Sequence, residues 1–275
     1  MVMEPDIYTQ LRLLDTDQLC PFESVRLLEN RMTVDLDEIS FLRHPFLVTA
    51  MDGDDYLLLE QTEHFSALTD AGLAHIPVQV CPTESLATAS SRVGLTNFDH
   101  ADLFRTSARH PELIRILDSG SGNDPSVTGV RLCFDFPRQG KFDVLLRHAS
   151  RAGCPASLET LFHSIMARGG WAPVVETSDN GDTVTRLTEY SAIVTVPAFS
   201  LDDLKTAASA ERLFPPGIAG VESTWRALNI DFPMSVLTSP IPIEEKQRFL
   251  RELILLRRRT RRTSSYRGRV YLLNR

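Results

Sequence analysis

The alternation of apolar and polar positions is sharpest between Phe46 and Val80. An extended run from Phe46 to Met51 meets Asp52-Gly53-Asp54-Asp55, and a second run from Tyr56 to Leu59 follows, a pattern that predicts a β-hairpin. Thr62 is placed to cap a helix over Glu63 to Ala71, with Phe65 and Leu68 on one face and Gly72 just past its end. Ile76-Pro77-Val78-Gln79-Val80 then reads as a strand. The unit is ββαβ, and its helix opens directly after a strand end at Glu60-Gln61-Thr62.

Beyond Cys81 the pattern becomes more helical. Helices are predicted over Phe98 to Ser107, Pro111 to Leu117, Lys141 to Arg151, Ser157 to Arg168 and Pro242 to Arg259. Strands are predicted over Tyr190 to Val196, Arg226 to Phe232 and Val270 to Leu273. Ser119-Gly120-Ser121-Gly122-Asn123-Asp124-Pro125 reads as a turn or linker, since it lacks the preceding strand, following helix and lysine of a phosphate-cradling loop. The fold class is therefore α/β. Residues 1–82 form one expected domain, and 83–275 a mostly helical α+β part with late strands.

At 275 residues, 43% hydrophobic and 24% charged, the chain can bury an ordinary core, which excludes disordered and coiled-coil classes. Met1 to Gln10 carries Glu4 and Asp6, and no apolar run is long enough for a signal peptide or membrane span, so a cytoplasmic protein is expected. Cys20, Cys81, Cys133 and Cys154 have neither zinc-site spacing nor disulfide-scaffold density and are expected to be reduced thiols.

The net charge of −7 conceals an asymmetry. Residues 241–275 hold eleven basic and three acidic side chains, a local net of +8 against −15 for the rest. Arg257, Arg258, Arg259, Arg261 and Arg262 close the predicted C-terminal helix and are the candidate contacts to DNA. The alternative is a solvated helix end, because cations there complement the helix dipole and no helix-turn-helix pattern is evident. Asp99-His100, His110 and His163 lack metal spacing, and Ser121 and Ser126 lack a partner base.

One longer stretch carries a resemblance. Phe41-Leu42-Arg43-His44-Pro45-Phe46-Leu47-Val48-Thr49-Ala50-Met51, the hairpin and helix after it, and Ile76-Pro77-Val78-Gln79 resemble the ParB/sulfiredoxin-like domain of the free L-serine kinases. Pro215-Pro216-Gly217-Ile218, Arg226-Ala227-Leu228-Asn229 and Val270-Tyr271-Leu272 resemble later landmarks of that family in the same order. The resemblance implies a ParB/sulfiredoxin-like N-terminal domain. It also implies an activity in which ATP or ADP with magnesium phosphorylates serine, giving O-phosphoserine for diaminopropionate in siderophore-type pathways.

That chemistry needs a carboxylate base for the hydroxyl, and a metal with cationic or amide donors around the moving phosphoryl group. The family's three motifs for these are altered here. Its His-Glu pair ahead of the Phe-Glu landmark, whose Glu acts as base, becomes Leu19-Cys20 before Phe22-Glu23, which Arg26 and Leu27 follow. A thiol does not do a carboxylate's work without a strongly lowered pKa. Glu23 is then the candidate catalytic substitute, or an ordinary helix-start glutamate.

The family's Asp-Gly-x-His-Arg becomes Glu60-Gln61-Thr62-Glu63-His64. Glu60 retains a carboxylate for catalysis or magnesium. Glu63, however, occupies the helix start where phosphate is expected, and like charges a few ångströms apart repel by roughly 4 kcal/mol at an effective dielectric near 20. The family's Thr-Arg pair after the Pro-Gly landmark becomes Ala219-Gly220, while Arg226 is retained as a candidate carboxylate binder or a surface residue beside a strand. Arg43, His44, Glu63, His64 and Arg226 are the candidate substrate and nucleotide contacts. The leading expectation is a relative that has lost kinase chemistry and serves a regulatory or accessory binding role. The alternatives are an active kinase of serine or a related small amino acid with a rebuilt site, and a DNA-binding regulator.

Overall fold

The computed structural model describes residues 7–24, 33–117, 129–147, 154–174 and 190–260. The chain forms two compact units: Met1–Cys20 with Met32–Ala87 and Ser223–Arg275, and Pro21–Arg31 with Thr88–Glu222. The Met32–Ala87 segment of the first unit ends at Ala87, and the chain returns to that unit at Ser223.

The first unit is built on a five-stranded sheet in the order Leu11–Asp15, His75–Val80, Phe46–Ala50, Tyr56–Leu58, Leu19–Pro21. Phe46–Ala50 and Tyr56–Leu58 are the hairpin that the sequence predicts. Met51 N–H bonds Asp55 O at 2.9 Å across the turn, and Gly53 takes φ +82°, a conformation costly for a side chain. His75–Val80 runs parallel to Phe46–Ala50, with Phe46 beside Val78, and antiparallel to Leu11–Asp15, with Leu11 beside Gln79. Helix Thr62–Asp70 makes the crossover and buries Phe65 and Leu68. Past its end Gly72 takes φ +91°, and Leu73 N–H returns to Leu68 O at 3.0 Å, which closes the helix with the left-handed cap that glycine permits.

Phe46, Val48, Leu58, Leu68, Ile76 and Val78 make the centre of this unit's core, and Phe232, Met234, Leu237, Leu250 and Ile254 complete it. The last two come from helix Ile243–Arg259, whose apolar face packs on the sheet while Arg248, Arg251, Arg258 and Arg259 stay exposed.

The second unit carries a six-stranded antiparallel sheet in the order Gly170–Pro173, Ser91–Thr96, Ala192–Val196, Gly129–Phe136, Gly140–Arg147, Ile114–Leu117. Helices His100–Arg109, Pro155–Met166 and Leu201–Ser209 accompany it. Asp99 caps the first through its bond from Asp102 N, and Ser200 caps the third through its bond from Asp203 N.

Several local expectations are corrected. Lys141 to Arg151, read as helical, contains strand Gly140–Arg147, because a tight turn at Gly140 (φ +91°) folds it back on Gly129–Phe136 through eight paired positions. In that partner, Val130, Leu132, Phe134 and Phe136 alternate inward with period two. Pro111 to Leu117 likewise holds strand Ile114–Leu117, paired along Asp143 to Leu146. Arg226 to Phe232 is a strand only at Phe232–Pro233, since Asn229 and Asp231 take φ 53° and 39°, which no strand accommodates. Gln61, not Thr62, is the N-cap of its helix, at φ 58° and without a side-chain cap bond. The linker from Ser119 to Pro125, residues Arg26 and Leu27, Ser121 and Ser126, and the last strand from Val270 lie outside the described residues. Among the described residues no helix is long and apolar enough to cross a membrane. All four cysteines are free thiols.

Candidate functional site

Strand Tyr56–Leu58 is followed by Leu59, whose N–H bonds Leu47 O at 2.9 Å, and the chain then turns sharply through Gln61 into the helix. This turn presents Glu60 at the sheet end. Gln61 Nε2 donates to Glu60 Oε1 at 2.9 Å, and the Arg226 guanidinium donates to the same oxygen. The pair is partly open to solvent, with side-chain exposures of 36% for Arg226 and 26% for Glu60. Two family-derived positions are thus brought together, but against each other. Glu63 lies in the first turn of the helix, where a carboxylate favours the helix dipole. The neighbouring Thr62 hydroxyl is buried and has no hydrogen-bond partner among the described residues. His64 packs its ring against Phe46 at 5.6 Å, and burial lowers its pKa, so the neutral imidazole is a packing group.

Arg226 is held by a residue that none of the three catalytic motifs contains. Gln79 is fully buried near the end of the interior strand His75–Val80. Its Oε1 accepts from Ala227 N at 2.7 Å, and its Nε2 donates to Trp225 O at 3.1 Å and to Gln10 Oε1 at 3.2 Å. One side-chain amide therefore substitutes for a strand partner on both sides of Arg226. Ser223 Oγ also donates to Trp225 O at 2.7 Å and lies 3.6 Å from Cys81 Sγ. Burial pushes the Cys81 thiol up, with Glu60 adding to the effect and Ser223 and Arg226 opposing it.

His44 joins the same neighbourhood. Its Nδ1 accepts from Asn229 N at 3.1 Å, so its proton sits on Nε2. Its pKa is lowered first by burial and then by the Arg226 and Arg43 charges, with Asp231 opposing. Arg43 contributes its carbonyl, which accepts from Asp231 N at 3.2 Å. Arg257 is turned to the same loop: its guanidinium bonds Asn229 O and lies 3.6 Å from Asp231. Of the arginines offered as DNA contacts, Arg257 is thus engaged by Asn229 and Asp231, Arg259 is exposed, Arg258 is exposed with a partner of its own, and Arg261 and Arg262 lie outside the described residues.

Cys20 stands in strand Leu19–Pro21 of the first sheet, and burial with the nearby Asp55 charge raises its pKa, so it stays a thiol. Glu23 belongs to the second unit. It pairs in a parallel bridge with Phe214, and its Oε1 accepts from Gly217 N at 2.9 Å. Burial raises its pKa to about 7, against the opposing effect of the Gly217 bond. Gly220, at the start of strand Gly220–Ser223, follows Ala219 with no polar side chain.

At Glu60 one carboxylate oxygen already receives Arg226 and Gln61, and among the described residues no three His, Cys, Asp or Glu side chains gather as a metal cluster. From the sequence Gln79 has no assigned role; its signal is an amide inside the apolar run Ile76 to Val80, at the close of the Ile76-Pro77-Val78-Gln79 landmark.

No family model matches the chain. It is 32% identical over 76 residues to the ATP-dependent L-serine kinase SbnI of Staphylococcus aureus, a match spanning 26% of this chain and 29% of that protein's length. The structure of SbnI with a C-terminal truncation superposes with a TM-score of 0.68 at 16% identity, covering 92% of this chain and 99% of that one. A free serine kinase variant in complex with ADP superposes at 0.61 and 10% identity, covering 83% and 94%. A conserved hypothetical protein from Pyrococcus furiosus also superposes at 0.61, with 13% identity.

Proposed function

Starting from a chain that has the fold of the free serine kinases, we propose that this protein has lost serine phosphorylation and works as a regulatory or accessory binding protein. The observation that carries this reading is the closed pair of Glu60 and Arg226. A kinase site needs a carboxylate free for metal and a cation free for phosphate. Here the two neutralise one another, with Gln61 bonded to the same carboxylate oxygen. The family's base position adds a second deficit, because Cys20 is held as a neutral thiol and cannot take the serine hydroxyl proton. Loss of chemistry with retention of the apolar scaffold is the expected outcome when selection acts on binding alone. In this reading the protein acts beside a pathway that uses O-phosphoserine, of the diaminopropionate or siderophore type.

A second reading is favoured by one observation. Glu23, with its pKa at about 7, has the proton affinity of a general base near neutrality. A kinase that had moved its base to Glu23 would turn over serine with ATP or ADP and lose that turnover in Glu23→Gln. Product formation separates the two readings: the binding-protein reading expects none from either nucleotide.

A further inference from the structure

The second unit contains a cavity of about 390 Å³ that none of the kinase motifs touches. Helix His100–Arg109 supplies Arg105 and Arg109, followed by His110, and helix Pro155–Met166 supplies Thr160 and Ser164, with Arg168 just past its end. The volume falls in the range of small-molecule sites.

The charge balance decides what such a cavity attracts. Three arginines face one carboxylate, Asp102, which is nearly buried. Asp102 is already fully used: its Oδ1 receives Arg105 and lies 3.5 Å from Arg168 Nε, while its Oδ2 accepts from Asp99 N at 3.1 Å. Arg109 has no ion-pair partner among the described residues. At the helix ends Thr106 O accepts from His110 N at 3.1 Å, and His163 O accepts from Ala167 N at 3.0 Å. Three planar guanidinium groups thus carry unused N–H donors around one small space, the geometry that recognises phosphate oxygens.

The hydroxyls add a second requirement. Thr160 Oγ1 donates to Ala156 O at 2.9 Å, and Ser164 Oγ donates to Thr160 O at 3.0 Å. With their protons committed, both oxygens are left as acceptors, suited to a ligand N–H or O–H. We propose that this cavity binds a small phosphate monoester that also carries a hydroxyl or amino group. A bare dicarboxylate satisfies the arginines less fully and offers nothing to Thr160 and Ser164.

The test is calorimetric titration of the full chain with glycerol phosphate, inorganic phosphate and succinate, at low and moderate salt. Glycerol phosphate is expected to bind in a 1:1 ratio with a dissociation constant below about 1 mM, more tightly than inorganic phosphate or succinate, and more weakly as salt rises. Arg109→Gln removes an exposed group that has no ion-pair partner among the described residues, so the fold should persist, and binding should weaken about tenfold. Arg168→Gln should weaken it similarly, while Arg226→Gln in the first unit should leave it unchanged. The imidazole resonances of His110 and His163 give a second readout, since both should shift on titration. Absence of saturable binding, equal affinity for succinate, or unaltered affinity in both Arg109→Gln and Arg168→Gln would overturn the proposal.

Discussion

The side-chain amide of Gln79 bonds the backbone on both sides of Arg226, accepting from Ala227 N at 2.7 Å and donating to Trp225 O at 3.1 Å. Replacing it by leucine keeps the volume and removes the bonds. The buried Ala227 N–H is then orphaned, while Trp225 O keeps its bond from Ser223. Gln79→Leu should therefore cost about 2–3 kcal/mol, read as a lower urea midpoint at unchanged slope. An effect below about 0.5 kcal/mol would show that the amide is not the clamp.

The Glu60–Arg226 pair is partly exposed, so its own contribution should be small. A double-mutant cycle with Glu60→Gln and Arg226→Gln should give a coupling of about 0.3–1 kcal/mol that shrinks in high salt. The pair's importance lies in which groups it occupies, not in how much it stabilises the fold.

Glu23 makes a pH-dependent prediction. Its pKa rises from an ordinary 4.5 to about 7 in the folded protein, so across that interval the folded state binds more protons than the unfolded state. Stability then falls as pH climbs from 4.5 through 7. Glu23→Gln can keep the acceptor for Gly217 N and removes the titration. Relative to wild type, it should be more stable by about 1–3 kcal/mol at pH 8, with the difference vanishing near pH 4. A pH-independent difference would mean that burial does not disfavour the carboxylate.

How much of this was legible depends on where each residue finds its partners. The hairpin, the Thr62–Asp70 helix and its Gly72 stop were readable because their determinants are local: a glycine in a tight turn, a helical spacing of Phe65 and Leu68, and a left-handed terminal residue. Gly140–Arg147 was not, because its apolar residues suit either a helix or a strand until Gly129–Phe136 pairs with them. The candidate site was legible as residue types and not as an arrangement. Glu60 and Arg226 are 166 positions apart, and Gln79 and Ala227 are 148 apart. Cys20 and Glu63 stand out in the sequence as replacements, but only the fold reveals that the charges of Glu60 and Arg226 engage each other.

The basic end gives another test. Arg257 is bound to Asn229 and lies beside Asp231, so Arg257→Gln should lower stability, whereas Arg259→Gln on the exposed face should leave it within about 0.5 kcal/mol. If the helix end also binds duplex DNA, that affinity should fall steeply with salt and drop in Arg258→Gln/Arg259→Gln. Unchanged affinity would remove this surface from any DNA-binding role.

The central claim is loss of phosphoryl transfer, and one measurement tests it most directly. The full chain is incubated with L-serine, magnesium and either ATP or ADP, and O-phosphoserine is followed by phosphorus NMR. The account predicts no product above the protein-free control with either nucleotide. Sustained multiple-turnover formation of O-phosphoserine that disappears in Glu23→Gln would contradict it and establish a kinase whose base has moved.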